Sequence, residues 1–528
     1  IVVDTQAPDT DTVILIRNNT VSSTRACGIR VNRATDVRIE ANTLTGIDGA
    51  GAAIRGIFVS TVTRLWIVDN YSDQSGVLNV ATNIRVESTC IDVVIRGNHC
   101  LLRDLDASTG IYAVDIDQGL TIEGNTVQGD ATTANPGTYG IQFSCLGVAL
   151  ENKRPAICRG NTVRTIREVG IDLFSGGALN SPGHIIEGNT LENIRERGIR
   201  LVAAATATRT QIKGNYIHMT ADVVVAGIVL ESGDDTLIEG NQLNLRDSTG
   251  AAAIGIDLRA AVRCVVIGNR VAFDSANMGT ACIRMDGSST DLTNIQGNHV
   301  MSATYGILVA TGETRSTLIR GNVTLSCTTG IAALFGARYL TIDGNNVLNT
   351  NDAGRGVFLQ GDFIRCVVSN NIARLTVAGS TGIEQSNGGV GGVFDKNVVC
   401  GNNVDSTDEA LLIDDGDENT INGNSFVSSA ARAVLFSIGI RNAIMGNRVE
   451  TTVAAPANGT GIYIDGAGST RNVIMGNNIN VAAAQNDIDT TPTAGSNVVM
   501  GNIGSVAFNL DVADIEDTAD NGGEYNLT

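Results

Sequence analysis

Along almost the whole chain one pattern recurs: an aliphatic residue, a variable residue, Gly, Asn, a variable residue and another aliphatic. Clear copies run Ile95-Arg96-Gly97-Asn98, Ile122-Glu123-Gly124-Asn125, Ile186-Glu187-Gly188-Asn189 and Ile212-Lys213-Gly214-Asn215. The series continues at Asn241, Asn269, Asn298, Asn322 and Asn345, then at Asn424, Asn447, Asn477 and Asn502. Degenerate copies at Asn19, Asn42, Asn70, Asn161, Asn371 and Asn397 fill the gaps. Successive asparagines stand mostly about 23 to 30 residues apart, the period of a solenoid coil. A second unit, Gly-Ile-x-aliphatic, lies roughly midway in most repeats, as at Gly28-Ile29, Gly110-Ile111, Gly170-Ile171, Gly198-Ile199, Gly255-Ile256 and Gly461-Ile462. Both units alternate apolar and variable positions, the period of a strand with one buried face. Gly-Asn supplies the turn, and the stacked Asn side chains are expected inside, bonded to one another.

These repeats predict an all-β chain: a right-handed parallel β-helix solenoid of about nineteen coils. Residues 1–505 are expected to form it, with an acidic C-terminal tail or cap at 506–528. Composition agrees, with 61 Gly, 6 Pro and 4% aromatics. No apolar run approaches the roughly 20 residues needed to cross a bilayer, so no membrane insertion is expected. Ile1 is not a translation start, and the chain reads as processed or cropped, with an N-terminal domain expected ahead of it.

The formal charge of −19 argues against a nucleic-acid partner, which calls for a basic surface. Positive charge is almost all arginine; Lys153, Lys213 and Lys396 are the only lysines. Arginine suits bidentate contact with carboxylates, which leaves acidic sugars open as ligands; codon bias in a GC-rich genome is the alternative source of the arginine excess. The ten cysteines lack paired metal spacing, and Cys158, Cys264, Cys282 and Cys366 stand at core positions of the repeat. They read as free thiols assembled in a reducing cytoplasm.

The I-x-G-N and G-I-x-L units resemble the pectate-lyase-like right-handed parallel β-helix proteins, phage tailspikes and parallel β-helix repeat proteins among them. The resemblance spans essentially the whole chain. It implies a fold and leaves function open, since the group includes lyases, hydrolases, epimerases and non-catalytic adhesins.

Outward residues of the G-I-x-L strands stack one coil apart, at about 4.8 Å. One column reads Tyr112, Gln142, Asp172, Arg200, Val229, Asp257, Arg284 and Leu308. Its neighbour reads Ser144, Phe174, Val202, Glu231, Arg259 and Asp286. Asp257 and Asp286 would lie roughly 8 Å apart, inside the roughly 6.5–9.5 Å of an inverting glycosidase pair. They are the expected catalytic acid and base, with Glu231 as substitute partner. Arg259 and Arg284 would hold an anionic sugar. Asp172, Arg200, Tyr112 and Phe174 would extend the substrate-binding strip. The competing reading is a structural salt-bridge ladder.

A rival location is the wall of long segments at Gly129 to Gly140, Leu146 to Ala156 and Ser175 to Gly183, near Tyr139. No cofactor is implied; the turn Asp414-Asp415-Gly416-Asp417-Glu418 clusters oxygens that suit Ca²⁺ but lacks calcium-loop spacing, and a solvated turn is the alternative. His99 and His299 follow ladder asparagines; His184 and His218 lie elsewhere. In the last coils the outward x of I-x-G-N becomes Met445, Met475 and Met500, beside Leu412, Leu435 and Tyr463. Such an apolar stripe marks an interface, expected to be that of a homotrimer, with packing of the acidic tail from Val506 to Thr528 against it as the intramolecular alternative. The functional expectation is a phage tailspike-like protein of a virion tail or the extracellular space. It would bind a bacterial surface polysaccharide, with cleavage left open. The alternatives are a secreted polysaccharide lyase, hydrolase or epimerase, and a non-catalytic adhesin.

Overall fold

The computed structural model describes residues 1–4, 13–24, 26–46, 54–74, 81–102, 108–130, 137–145, 154–174, 181–202, 207–220, 225–231, 233–245, 253–260, 262–274, 278–287, 291–310, 314–349, 353–386, 394–429, 432–452, 460–465, 469–482, 486–490, 497–504, 507–509 and 515–517. The chain divides into two compact units, Ile1–Gly279 and Thr280–Thr528. The expected boundary at 505/506 lies outside the described residues, as does most of the acidic tail.

Among the described residues every regular element is a strand. The fold is the expected right-handed parallel β-solenoid, of about 15 turns against the nineteen repeats counted. Near the N-terminus single strands such as Cys27–Glu40 and Ile54–Val68 run through two faces, and near the C-terminus Ile503–Gly504 is only two residues long.

In a regular coil of the first unit, Val169–Phe174 forms the first face, Ile185–Glu187 the second and Thr190–Ile194 the third. The glycine before the inward isoleucine of most first-face strands is demanded by packing. A Cβ on Gly170 would lie 2.4 Å from Leu191 Cδ2 and 2.8 Å from the Gly198 carbonyl. The Gly of Gly-Asn is demanded by the backbone instead. Gly188 has φ +59° with open space where a Cβ would go, so the left-handed turn alone selects it. Asn18, Ala41, Asp69 and Asn370 take equivalent φ values in the degenerate copies.

Behind each turn the asparagine points inward and stacks. In the first unit the ladder runs Asn19, Asn42, Asn70, Asn98, Asn125, Asn161, Asn189, Asn215, Asn241 and Asn269. Asn215 shows the arrangement. Its Nδ2 donates to Asn241 Oδ1 (2.9 Å) and the Ile186 carbonyl (3.0 Å), while its Oδ1 accepts from Asn189 N (3.0 Å) and Asn189 Nδ2 (2.9 Å). Both amide ends are satisfied without water. In the second unit the ladder runs Asn298, Asn322, Asn345, Asn371, Asn402, Asn424, Asn447, Asn477 and Asn502.

One assignment is corrected here: Asn402, not Asn397, occupies that ladder. Asn397 begins a second ladder at another corner, continuing through Asn419, Asn442, Asn472 and Asn497. Each member stands five residues before its partner in the main ladder, where it caps the strand-entry N–H of the preceding coil. Cys366 N donates to Asn397 Oδ1 at 2.7 Å. In the first unit His184 does the same work, its Nδ1 accepting from Ala156 N at 3.2 Å.

Outside the second face, Arg96, Glu123, Arg159, Glu187, Lys213 and Glu239 stand in register with alternating sign. Arg159 reaches Glu123 at 3.1 Å and Lys213 reaches Glu239 at 3.8 Å. The ten cysteines are free thiols, and eight are buried. Cys158 replaces an isoleucine between Ile122 and Ile186, as its place in the repeat requires.

Candidate functional site

The first-face column is in the register read from the sequence: Tyr112, Gln142, Asp172, Arg200, Val229 and Asp257 pair in succession. Its environment differs from the expected open surface. Asp172, Val229 and Asp257 are fully buried although they point away from the core. Asp172 is clamped by Gln142 Nε2 (2.9 Å) and by Arg200, whose Nε and Nη2 each lie 2.9 Å from one carboxylate oxygen. Asp257 receives Arg259 Nε at 2.7 Å from its own strand. A buried carboxylate needs such a partner, because desolvation otherwise outweighs any gain.

Glu231 lies within electrostatic reach of Arg200 and is half-buried. Phe174, also half-buried, pairs with Val202. Arg284 and Asp286 belong to the second unit, where they pair with each other at 3.5 Å. The two aspartates of the expected acid–base pair thus belong to different units. Of the long segments offered as a rival wall, residues 131–136, 146–153 and 175–180 lie outside the described residues.

The same face carries a series of guanidinium-over-ring contacts that the sequence reading missed. In the first unit Arg55 and Arg30 lie 4.3 and 5.7 Å from the Phe58 ring centre, Arg85 4.9 Å from Tyr112, and Arg200 5.9 Å from Tyr139. In the second, Arg355 lies 4.2 Å from Phe358 and Arg432 4.2 Å from Tyr463. Arg55–Phe58 and Arg355–Phe358 are three residues apart on one strand, whereas the other pairs join different coils and only the coil register reveals them.

That face of the second unit also holds carboxyls. Arg355 bonds Glu384 one coil on. Burial, with Asp408 beside it, pushes Glu409 up to about 7. At neutral pH Glu409 is therefore often protonated, the state a general acid requires. It lies in the irregular stretch between Asn403–Ser406 and Leu411–Ile413, where no strand pattern flags it.

The acidic turn spends its carboxylates locally. Glu418 pairs with Arg441 (2.8 Å) and Lys396 (3.6 Å), and Asp417 Oδ1 accepts from Ile440 N (2.8 Å). Among the described residues no group of three or more His, Cys, Asp or Glu could hold a metal ion, and none of their helices is long and apolar enough to cross a membrane. Met445, Met475 and Met500 do stack in register, and Met475 is exposed. Leu412, Leu435 and Tyr463 stack on the companion strands.

Against known proteins, the family described as "right handed beta helix region" matches residues 7–181 and 146–323, together more than half of the 528 residues. The family described as "periplasmic copper-binding protein (NosD)" matches residues 246–436. No curated protein matches. Among solved structures, the Dettilon tailspike protein is 13% identical, with 69% of this chain and 60% of that chain covered and a TM-score of 0.36. This chain thus spans less than two thirds of that tailspike. The DFA-IIIase from Arthrobacter chlorophenolicus A6 in complex with GF2 is 14% identical over 73% of this chain and 84% of that one, TM-score 0.30. The A-module of a mannuronan C-5 epimerase from Azotobacter vinelandii is 11% identical over 78% and 90%, TM-score 0.28.

Proposed function

We propose that this chain, which belongs to the right-handed β-helix family, binds an acidic polysaccharide along its first face, as a tailspike-like homotrimer of a virion tail or the extracellular space. The observation that carries the reading is the repeated guanidinium–ring pair, found on this face in both units. The Phe58 and Phe358 rings are themselves buried and hold their arginines in place; the half-buried Tyr112 and Tyr463 leave ring edge for the apolar side of a sugar, and each arginine offers donors to a carboxylate. The stacked methionines supply the apolar stripe a trimer would bury.

Titration calorimetry with polygalacturonate and alginate tests the binding. Both should bind, more weakly as salt rises. Arg85→Gln should weaken binding about fivefold, the worth of a contact of about 1 kcal/mol. Absence of binding to either polymer removes the reading. Sedimentation of the intact chain should give a three-chain mass.

A second reading, cleavage of the bound glycan, is favoured by the Glu409 carboxyl, which burial raises to about 7. Asp257, Asp286 and Glu231 compete with it for the acid–base role. Product chain length separates them: Glu409→Gln should lower turnover about 10²-fold. Loss on Asp257→Asn or Asp286→Asn, with Glu409→Gln unaffected, returns the role to the aspartates. Unchanged chain length throughout leaves a binding protein.

A further inference from the structure

The chain has one tryptophan, and it faces outward. Trp66 lies on Ile54–Val68 between Leu65 and Ile67, both fully buried, so strand alternation turns its indole away from the core. Its neighbours above and below on the second face are Arg38 and Val94, and Leu15 stands beyond Arg38. The indole is 36% exposed, with Leu15 at 52% and Val13 at 74% beside it. An exposed apolar surface of this kind on a chain with only 4% aromatics calls for an explanation.

The polar groups around the ring supply one. Arg38 Nε bonds Glu40 at 2.5 Å, and Arg64, two residues before Trp66, is held by Asp36 through Nε and through Nη2 at 2.6 Å. Both arginines remain more than half exposed, so each has N–H donors left over after its ion pair. Trp66, Arg38, Arg64, Asp36, Leu15 and Val13 line a groove of about 390 Å³, within the roughly 300–1,000 Å³ typical of small-ligand sites. Both arginines are already paired with a carboxylate, Asp36 in the groove and Glu40 outside its lining, so little net charge is left to select an anionic sugar. A pyranose combines an apolar C–H face with a rim of hydroxyls that both donate and accept, and it meets each of these features.

We infer that Trp66, with Arg38 and Arg64 at its edges, forms a subsite for an uncharged pyranose unit of a glycan. The inference rests on the glycan-binding reading but uses a different face and a different sugar chemistry. The ring takes the C–H face, and the two ion pairs bond the hydroxyls without being broken.

Because Trp66 is the sole tryptophan, indole emission reports on this groove alone. Hexasaccharides of β-1,4-glucose, α-1,4-glucose and β-1,4-galactose, with hexagalacturonate as the charged comparison, are titrated while emission is followed. A saturable change with at least one neutral hexasaccharide is expected. By calorimetry, Trp66→Ala should weaken that glycan at least tenfold and Trp66→Phe by less. No change with any neutral glycan, or a change with hexagalacturonate alone, overturns the subsite. So does an emission shift that follows protein concentration without sugar, which would mean that a second copy covers the ring. Binding of polygalacturonate with silent Trp66 emission removes this inference and leaves the first-face reading standing.

Discussion

Asn215→Ala should destabilise the first unit by about 4 kcal/mol, measured by urea or thermal unfolding. The substitution removes four hydrogen bonds at once. It leaves Asn189 N–H, one Asn189 amide hydrogen and the Ile186 carbonyl without partners in the core. Each orphaned buried group costs about 1–3 kcal/mol, and the small cavity adds to the total. Gln242→Ala, exposed one coil along, provides the control and should stay within about 0.5 kcal/mol. If the two variants lose similar amounts, the ladder is a passive consequence of stacking and contributes little to stability.

Acid lability of the first unit should trace to His184. The ring is fully buried, packs edge-on to Phe143 at 6.4 Å between centres, and accepts a backbone N–H. Burial pulls its pKa from 6.5 down to about 4. Between those values the unfolded chain binds a proton that the folded chain refuses. Stability is therefore complete above pH 6.5 and falls as pH drops toward 4. The slope is about 1.4 kcal/mol per pH unit and the total about 3 kcal/mol. The corner asparagines of the second unit suggest the test. His184→Asn can still accept the Ala156 N–H, as Asn397 accepts that of Cys366, but cannot titrate. Its stability should be flatter than wild type between pH 6.5 and 4, whatever its absolute value. An unchanged slope would place the acid sensitivity elsewhere.

The main ladder was legible because turn, spacing and side chain coincide in one short motif. Gly-Asn fixes both the left-handed backbone and the inward amide, so Asn98, Asn125, Asn189, Asn215 and Asn241 could be aligned by counting. The second ladder escaped because its asparagines follow no glycine and occupy a corner that is filled in earlier coils by His184, Thr210 or Cys264. Asn397 was misassigned for the same reason, since in that coil both ladders fall within six residues. A constant offset of five residues, at 419/424, 442/447, 472/477 and 497/502, was the signal available. Candidate chemistry was harder to read. Strand alternation gave the direction of Asp172 and Asp257 correctly, but direction is not exposure, and both are covered and neutralised by arginine. The ring partners of Arg85 and Arg200 lie on other coils, and Glu409, raised to about 7 by burial, sits in an irregular segment. Neither kind of feature has a period.

The alternating column of Arg96, Glu123, Arg159, Glu187, Lys213 and Glu239 matters most before the chain has folded. Asparagine ladders are interchangeable: any coil can dock its amide on any other, so a growing stack is exposed to frame-skipping. A coil that bypasses its neighbour and settles on the one beyond brings glutamate onto glutamate, or arginine onto lysine. Each like-charged contact costs up to about 1 kcal/mol, and a skip that propagates along the stack repeats the penalty. Exposed ion pairs of this kind add little to the finished molecule. During assembly the same alternation would disfavour misthreaded coils, since every skipped coil sets like charge on like.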